Sequence, residues 1–199
     1  MDWLREETDY SIEEIELIRY GLTSIVMELS KFFIMLLLFA VTRNGMLYLF
    51  GVFILLILRS CSGGLHFSSY IGCLIFSICI LYMGCIFLPS VFQLSDYTML
   101  ILLICCIFIT FQTGPVVSKS RPNLTPLQVK ESKRSSFKII LCYMIAVILF
   151  GESSFIQPGF WMIFLQTLQL LVSFLLSKIK QRRSICFINI IQKENDENI

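Results

Sequence analysis

The chain has 199 residues, of which 56% are apolar and 15% are charged, and its formal net charge is +2. Soluble domains are about 45–50% apolar and about 25% charged. The composition therefore excludes an ordinary soluble domain and predicts an all-α, polytopic membrane protein. We expect the lipid bilayer as its surroundings, and no nucleic acid, metal ion or cofactor as a partner.

Residues 1–22 are predicted to form an amphipathic helix that lies at the membrane surface or against the bundle. Ser11 and Glu14 have the spacing of a capping box, and apolar residues follow at helical intervals. We expect a single transmembrane domain after this helix, at residues 23–178, and then a cytoplasmic tail at residues 179–199.

Six apolar stretches follow in the chain, and a helix needs roughly 17–25 such residues to cross a bilayer. Arg43 and Asn44 are predicted to form a tight hairpin between the first two spans, and Pro89 is predicted to end the third. The six spans are expected at about 24–42, 44–59, 70–88, 97–113, 137–151 and 159–177.

Lysine and arginine are concentrated in two segments, the loop 118–138 and the tail from residue 178. The connections at 89–96 and 152–158 contain no positive charge. Because short loops rich in lysine and arginine stay in the cytoplasm, both basic segments are predicted to be cytoplasmic. Both termini and the connection between the second and third spans then face the cytoplasm as well.

Five of the eight cysteines lie inside apolar runs, where a cysteine behaves as a small hydrophobic residue. The other three, Cys61, Cys73 and Cys186, lie near polar junctions and are expected to be free thiols in the reducing cytoplasm. No Cys-x-x-Cys pair is present, which argues against a zinc or redox site.

The junction between the second and third spans, "LRSCSGGLHFSSYIGC" at residues 58–73, contains the only histidine of the chain. A cysteine and a histidine together form a nucleophile and its base. On a continuous helix His66 and Cys73 would stand about 10 Å apart along the axis, too far for proton transfer. The mechanism therefore requires that Gly63 and Gly64 interrupt the helix.

Cys73 is the better candidate nucleophile of the two cysteines at this junction. Ser68 or Ser69 is predicted to cap the third span, which places Cys73 where the helix dipole favours the thiolate. Cys61, at the carboxyl end of the preceding span, would experience the opposite field. Backbone amides at Gly63 and Gly64 are expected to stabilise an oxyanion, and Arg59 to bind a carboxylate or the developing charge.

Simpler interpretations stand beside these. An ordinary loop also explains His66, and an interfacial anchor of the second span also explains Arg59. Glu28 and Lys31, three residues apart, are explained by mutual neutralisation at the membrane edge. Glu28 is nevertheless the leading candidate to orient the imidazole of His66. The alternative class is a non-enzymatic peptide exporter or scaffold, although the third to sixth spans contain no charge deep in their apolar cores.

The stretch "RSCSGGLHFSSYIGC" resembles the signature of the accessory gene regulator B family, membrane peptidases that mature autoinducing peptides in Gram-positive bacteria. The matching positions are Arg59, Gly63, Gly64, His66 and Cys73. "RYGLTSIVMELSKFFIMLL" and the proline-containing basic loop before the fifth span are also similar to the family. The chain departs from it at residues 113–115, where Thr-Gly-Pro stands in place of Tyr-Ala-Pro.

The resemblance implies a cysteine endopeptidase of the cell membrane whose active site is on the cytoplasmic side. Its substrate would be a precursor peptide with an amphipathic leader, a signal segment containing Cys or Ser, and an acidic tail. Cys73 would cleave before the tail and hold the rest as a thioester, which then cyclises. A homodimer is implied as well. The basic loop suits recognition of an acidic tail, although positive-inside topology alone also explains its charge; the residues are Lys119, Arg121, Lys130, Lys133 and Arg134.

Overall fold

The computed structural model describes residues 12–63, 69–115 and 125–197. Every regular element in these ranges is a helix, which confirms the predicted all-α class of polytopic membrane protein. The helices are α1 (Ile12–Val41), α2 (Gly45–Ser62), α3 (Tyr70–Val91), α4 (Asp96–Thr113), α5 (Pro126–Phe150) and α6 (Ile156–Glu197).

Five helices in the described ranges are long and apolar enough to cross a membrane, compared with six predicted spans. They are Gly21–Val41, Gly45–Ser62, Tyr70–Val91, Asp96–Thr113 and Ile156–Ile179. The span expected at 137–151 lies in α5, whose uncharged stretch after Lys138 is about 18 Å long. That stretch is shorter than the hydrocarbon core, about 30 Å. On the other hand, α5 packs against α2, α4 and α6 as part of the bundle. The sixth crossing therefore remains a prediction.

Helix α1 runs from Ile12 to Val41 without a break. The predicted amphipathic helix and the first span therefore form one helix where the structure describes them, and residues 1–11 lie outside the described residues. A turn of three residues then leads to α2. Within this turn Arg43 has a positive φ of 59°. Asn44 N–H donates to the Phe39 carbonyl oxygen at 2.9 Å, which confirms the predicted hairpin.

Helix α3 continues past Pro89 to Val91, beyond the expected end of the third span. Proline has no N–H to donate to the preceding turn. A wider, π-helical turn at Met83–Phe87 stands immediately before Pro89, and such turns accommodate an interrupted hydrogen-bond ladder. The helix therefore passes the proline and ends two residues later, at Val91.

Helix α6 is the central helix of the bundle and contacts α2, α3 and α4. Phe160, Met162 and Ile163 are fully buried on it. Gly51 of α2 and Gly84 of α3 lie at close helix crossings, because a Cβ at these positions would collide with Cys85 Sγ and Met162 Sδ. Small residues at such crossings allow helices in membranes to approach closely.

Candidate active site

The segment between α2 and α3 begins where Gly63 ends α2. Gly63 has φ 76° and ψ −155°, a backbone conformation that glycine adopts without strain. Its N–H donates to the Arg59 carbonyl oxygen at 3.0 Å and closes the last turn. The predicted interruption of the helix is therefore confirmed. Gly64 and His66 lie outside the described residues, so their roles remain predictions.

Helix α3 begins at the serine cap that the sequence predicts. Ser69 has extended backbone geometry, and its hydroxyl accepts a hydrogen bond from Gly72 N–H at 3.5 Å. Cys73 N–H donates to the Ser69 carbonyl oxygen at 3.0 Å, so Cys73 closes the first turn of α3. Its thiol is free and half-buried. The amino-terminal end of a helix favours a negatively charged sulfur.

A lysine from another helix contacts the Cys73 sulfur. Lys31 Nζ of α1 donates to Cys73 Sγ at 3.4 Å and to Glu28 Oε1 at 2.6 Å. The Lys31 side chain is 7% exposed, whereas that of Glu28 is 72% exposed. The ion pair between Glu28 and Lys31 is as the sequence suggests, but its location beside Cys73 is not.

The contact between α1 and α3 has a second hydrogen bond next to the first. Ser30 Oγ and Tyr70 OH are 2.7 Å apart, and Lys31 Nζ lies 5.8 Å from the centre of the Tyr70 ring. Ser30 and Lys31, which are adjacent on α1, therefore contact Tyr70 and Cys73, which are one turn apart on α3. This pairing fixes the height of Lys31 relative to Cys73.

The contact of Lys31 with Cys73 is not predicted from the sequence, although a signal is present. An ionisable residue inside a membrane-spanning helix is by default a candidate functional residue, and Lys31 lies well within Gly21–Val41. Glu28 was expected to orient His66. Its carboxylate binds Lys31, and because His66 lies outside the described residues, the role of Glu28 toward His66 remains a prediction.

The end of α2 is held by a glutamine of the central helix. Gln166 Nε2 of α6 donates to the Gly63 carbonyl oxygen at 3.0 Å and approaches Ser62 Oγ at 3.3 Å. Gln166 lies near the middle of the apolar segment Ile156–Ile179. The carbonyl groups at a helix end have no intrahelical partner, and inside an apolar layer such a group needs one. Gln166 supplies it.

The basic part of α5 lies next to the same end of α2. Ser132 donates a hydrogen bond to the Cys61 carbonyl oxygen. Lys133 follows it in sequence and places Nζ 5.3 Å from the centre of the Phe111 ring. Lys130 and Arg134, on the same turns, are exposed. Of the five expected tail-binding residues, Lys119 and Arg121 lie outside the described residues.

Cys61 and Arg59 occupy the last turn of α2. Cys61 Sγ is 3.8 Å from Ser60 Oγ, and the carboxyl end of the helix around it disfavours a negative charge. Arg59 is half-buried one turn before Gly63, at the position where the sequence predicts an anion-binding or anchoring side chain. Both interpretations of Arg59 remain predictions.

Together these features define a polytopic helical membrane protein. A cysteine lies in the first turn of one span, and the ammonium group of a lysine from another span contacts its sulfur. The chain matches the family model described as accessory gene regulator B over residues 1–170. The chain belongs to the accessory gene regulator B family.

Individual relatives agree with this assignment. A protein named AgrB-like from Clostridium perfringens strain SM101 is 32% identical over 152 residues, which cover 72% of this chain and 70% of the relative. A second, from Clostridium perfringens strain 13, is 31% identical over 149 residues with the same coverage. One from Clostridium beijerinckii is 32% identical over 136 residues, covering 67% and 68%. No solved structure matches the chain. Family membership supports a role in the processing of quorum-sensing peptides.

Proposed function

We propose that the chain is a membrane cysteine endopeptidase that cleaves the carboxyl-terminal tail from a quorum-sensing precursor peptide and cyclises the remainder. One observation carries the proposal. Gly63 ends α2 and Ser69 caps α3, so His66 and Cys73 do not share one continuous helix. A continuous helix would keep His66 and Cys73 too far apart along its axis for proton transfer. Because the helix is interrupted, that restriction does not apply.

In the first step the Cys73 thiolate attacks the carbonyl carbon of the peptide bond before the tail. A carbon–sulfur bond forms and the carbon–nitrogen bond breaks. The leaving amine takes a proton from the His66 imidazolium, so the tail departs as a neutral amine and His66 becomes neutral. The precursor remains as a thioester on Cys73. The Gly63 N–H already donates to the Arg59 carbonyl oxygen, so the backbone amide of Gly64 is proposed to stabilise the oxyanion of the intermediate.

In the second step a Cys or Ser side chain of the precursor attacks the thioester carbonyl. His66 accepts the proton of the attacking group, the bond to Cys73 breaks, and its electron pair returns to Sγ as thiolate. The product is a thiolactone or lactone ring. Cyclisation competes with hydrolysis because the attacking group is held on the same molecule, where its effective concentration is very high.

The acidic tail is proposed to bind near the basic turns of α5. Ser132 joins α5 to the end of α2, so Lys130 and Arg134 stand on the helix that contacts the junction. The proposed binding set also includes Arg59, Lys119, Arg121 and Lys133. Clustered cations attract an acidic peptide and orient it before chemistry.

The junction is proposed to face the cytoplasm of a Gram-positive cell, with six crossings and both termini inside. The distribution of lysine and arginine supports this orientation. The relatives come from Clostridium species, which are Gram-positive bacteria, and the substrate would be a small peptide made in the same cytoplasm. A homodimer is proposed from the family resemblance.

The test is tail release in liposomes. Purified protein is incubated with the peptide encoded by a short reading frame beside its gene, with an amphipathic leader, a Cys or Ser and an acidic tail. Cys73→Ala and His66→Ala should abolish tail release, whereas Cys61→Ala should retain it. Undiminished release by Cys73→Ala would disprove the assignment of the nucleophile. Undiminished peptide export by the same variant would favour a transporter.

A further inference from the structure

Lys31 is more deeply buried than it would need to be if it only neutralised Glu28 at the protein surface. Its side chain is 7% exposed, and in addition to the exposed Glu28 carboxylate it contacts the sulfur of Cys73. A buried ammonium group is stable only with partners that compensate for the lost water. The carboxylate compensates for one positive charge, and the ammonium protons that remain are available to the sulfur.

We propose that Lys31 is a further catalytic residue that holds Cys73 as a thiolate, and that Glu28 is the positioning residue that holds Lys31 in place. The inference rests on the proposed function only in giving Cys73 a reaction to perform. Nothing in the proposed acid–base role of His66 requires a second cation on the sulfur.

The distances determine what Lys31 does. Nζ is 3.4 Å from Cys73 Sγ, close enough for a direct hydrogen bond from the ammonium group to the sulfur. A positive charge at this range favours the ionised form of an acidic group about tenfold to a thousandfold. Lys31 moves no proton in this role: it acts as a fixed positive charge, held by the Glu28 carboxylate 2.6 Å from Nζ.

The same charge acts in both halves of the proposed reaction. Before attack it raises the fraction of Cys73 present as thiolate. In ring closure the carbon–sulfur bond breaks and its electron pair returns to Sγ, so a nearby ammonium group stabilises the departing sulfur. Lys31 thereby favours formation of the thioester and also its resolution.

The charged and titratable groups around this end of α3 come from several elements. On α1 they are Glu28 and Lys31, and on α3 Tyr70 stands one turn before Cys73. Arg59 and Cys61 lie on the end of α2, and α6 has no titratable group from residue 156 to residue 177. His66 lies in the segment outside the described residues. Lys31 is the cation whose contact with Cys73 Sγ is established.

The test measures the thiolate fraction of Cys73 without substrate. The full-length protein in liposomes is alkylated with neutral iodoacetamide, and the label on the Cys73 peptide is followed by mass spectrometry. The ratio of the rate at pH 7 to the plateau rate at about pH 10 reports ionisation independently of access, because an ordinary thiol ionises near pH 8.5. Label on Cys61 is recorded in the same samples.

The variants separate charge from shape. Lys31→Met keeps a long side chain and removes the charge, and we expect the ratio for Cys73 to fall at least about tenfold. Lys31→Arg should retain most of it. Glu28→Gln should lower it less than Lys31→Met, because the ammonium group loses its position but keeps its charge. Lys178→Met removes a cation that stacks on Phe174 and should leave the ratio unchanged, as should every variant for Cys61.

An unchanged ratio in Lys31→Met would overturn the inference. If that variant fails to fold, the wild-type protein still decides the matter: a ratio for Cys73 no higher than that for Cys61 would also overturn it. The outcome is distinguishable from failure of the proposed function. Tail release that survives Cys73→Ala removes the proposed reaction but leaves the alkylation result intact, whereas a dead Cys73→Ala with no effect of Lys31→Met removes only the role of Lys31.

Discussion

The amide of Gln166 donates to the carbonyl oxygen of Gly63 across 103 residues of sequence, at a distance of 3.0 Å. Gln166 is 2% exposed, and its contact is made at the residue where α2 ends. A position in the middle of the central helix therefore holds the start of the segment that leads to the candidate active site.

Replacing this glutamine should loosen the junction. Gln166→Leu leaves the Gly63 carbonyl without its partner, and a buried polar group left unpaired costs about 1–3 kcal/mol. We expect a lower midpoint of thermal unfolding in detergent and a lower rate of tail release. Gln112→Leu, at an exposed position of α4, is the matched control and should change neither. Equal melting of both variants would show that the Gln166 contact contributes nothing.

The crossing of α2 with α3 should not tolerate a larger residue at Gly51. A Cβ at this position would collide with Cys85 Sγ, and Leu81 and Met162 line the same space. Overpacking of a dense core costs about 1–3 kcal/mol, so Gly51→Val should melt at a lower temperature. At Gly21, by contrast, nothing lies within 4 Å of an added Cβ. Gly21→Ala should be neutral or slightly stabilising, and a loss there as large as that of Gly51→Val would contradict the packing argument.

The exposed cations of α5 should act on substrate binding more than on chemistry. In the double variant Lys130→Gln with Arg134→Gln, KM for a precursor with an acidic tail should rise while kcat changes little. Electrostatic attraction at a surface is screened by salt, so raising the ionic strength should shrink the difference between wild type and variant. Lys178→Gln serves as control. A fall in kcat at unchanged KM would assign these residues to a step after binding.

The topology of α5 can be tested from its two ends. In the six-span arrangement, a cysteine introduced at Lys130 is cytoplasmic and one introduced at Glu152 is outside. A membrane-impermeant thiol reagent on intact cells should therefore label Glu152→Cys readily and Lys130→Cys only after permeabilisation. Gln93→Cys, in the loop between α3 and α4, should behave as Glu152→Cys does. Labelling of both ends of α5 from one side would reduce the number of crossings to five.

Hydropathy and local turn chemistry account for what could be predicted from the sequence. Apolar runs of sufficient length predict membrane helices whatever their partners are. Gly63 and Ser69 are a helix terminator and a helix cap for reasons that lie within a few residues of each. The helix interruption, the cap and the α-helical class were therefore accessible without a structure.

The missed contacts depend on which helices become neighbours. Lys31 and Cys73 are 42 positions apart, and Gln166 and Gly63 are farther apart still. A lysine and a glutamate three residues apart satisfy each other locally, so their spacing alone does not identify Cys73 as a third partner. The fifth span stays a prediction for a related reason: its apolar stretch is short and lysine and arginine occupy the first half of α5, so its depth in the membrane depends on the helices around it.

Helix α1 touches the rest of the bundle along a narrow strip, since 18% of its membrane segment is buried. That strip includes Lys31, which faces a sulfur on α3. The environment of the sulfur is therefore created only when the first helix docks onto the third, and no excised stretch such as 58–77 reproduces it. In a chain whose α1 has yet to dock, Cys73 would have the surroundings of any other cysteine at a helix start, so assembly of the bundle itself controls when this thiol acquires its cationic neighbour.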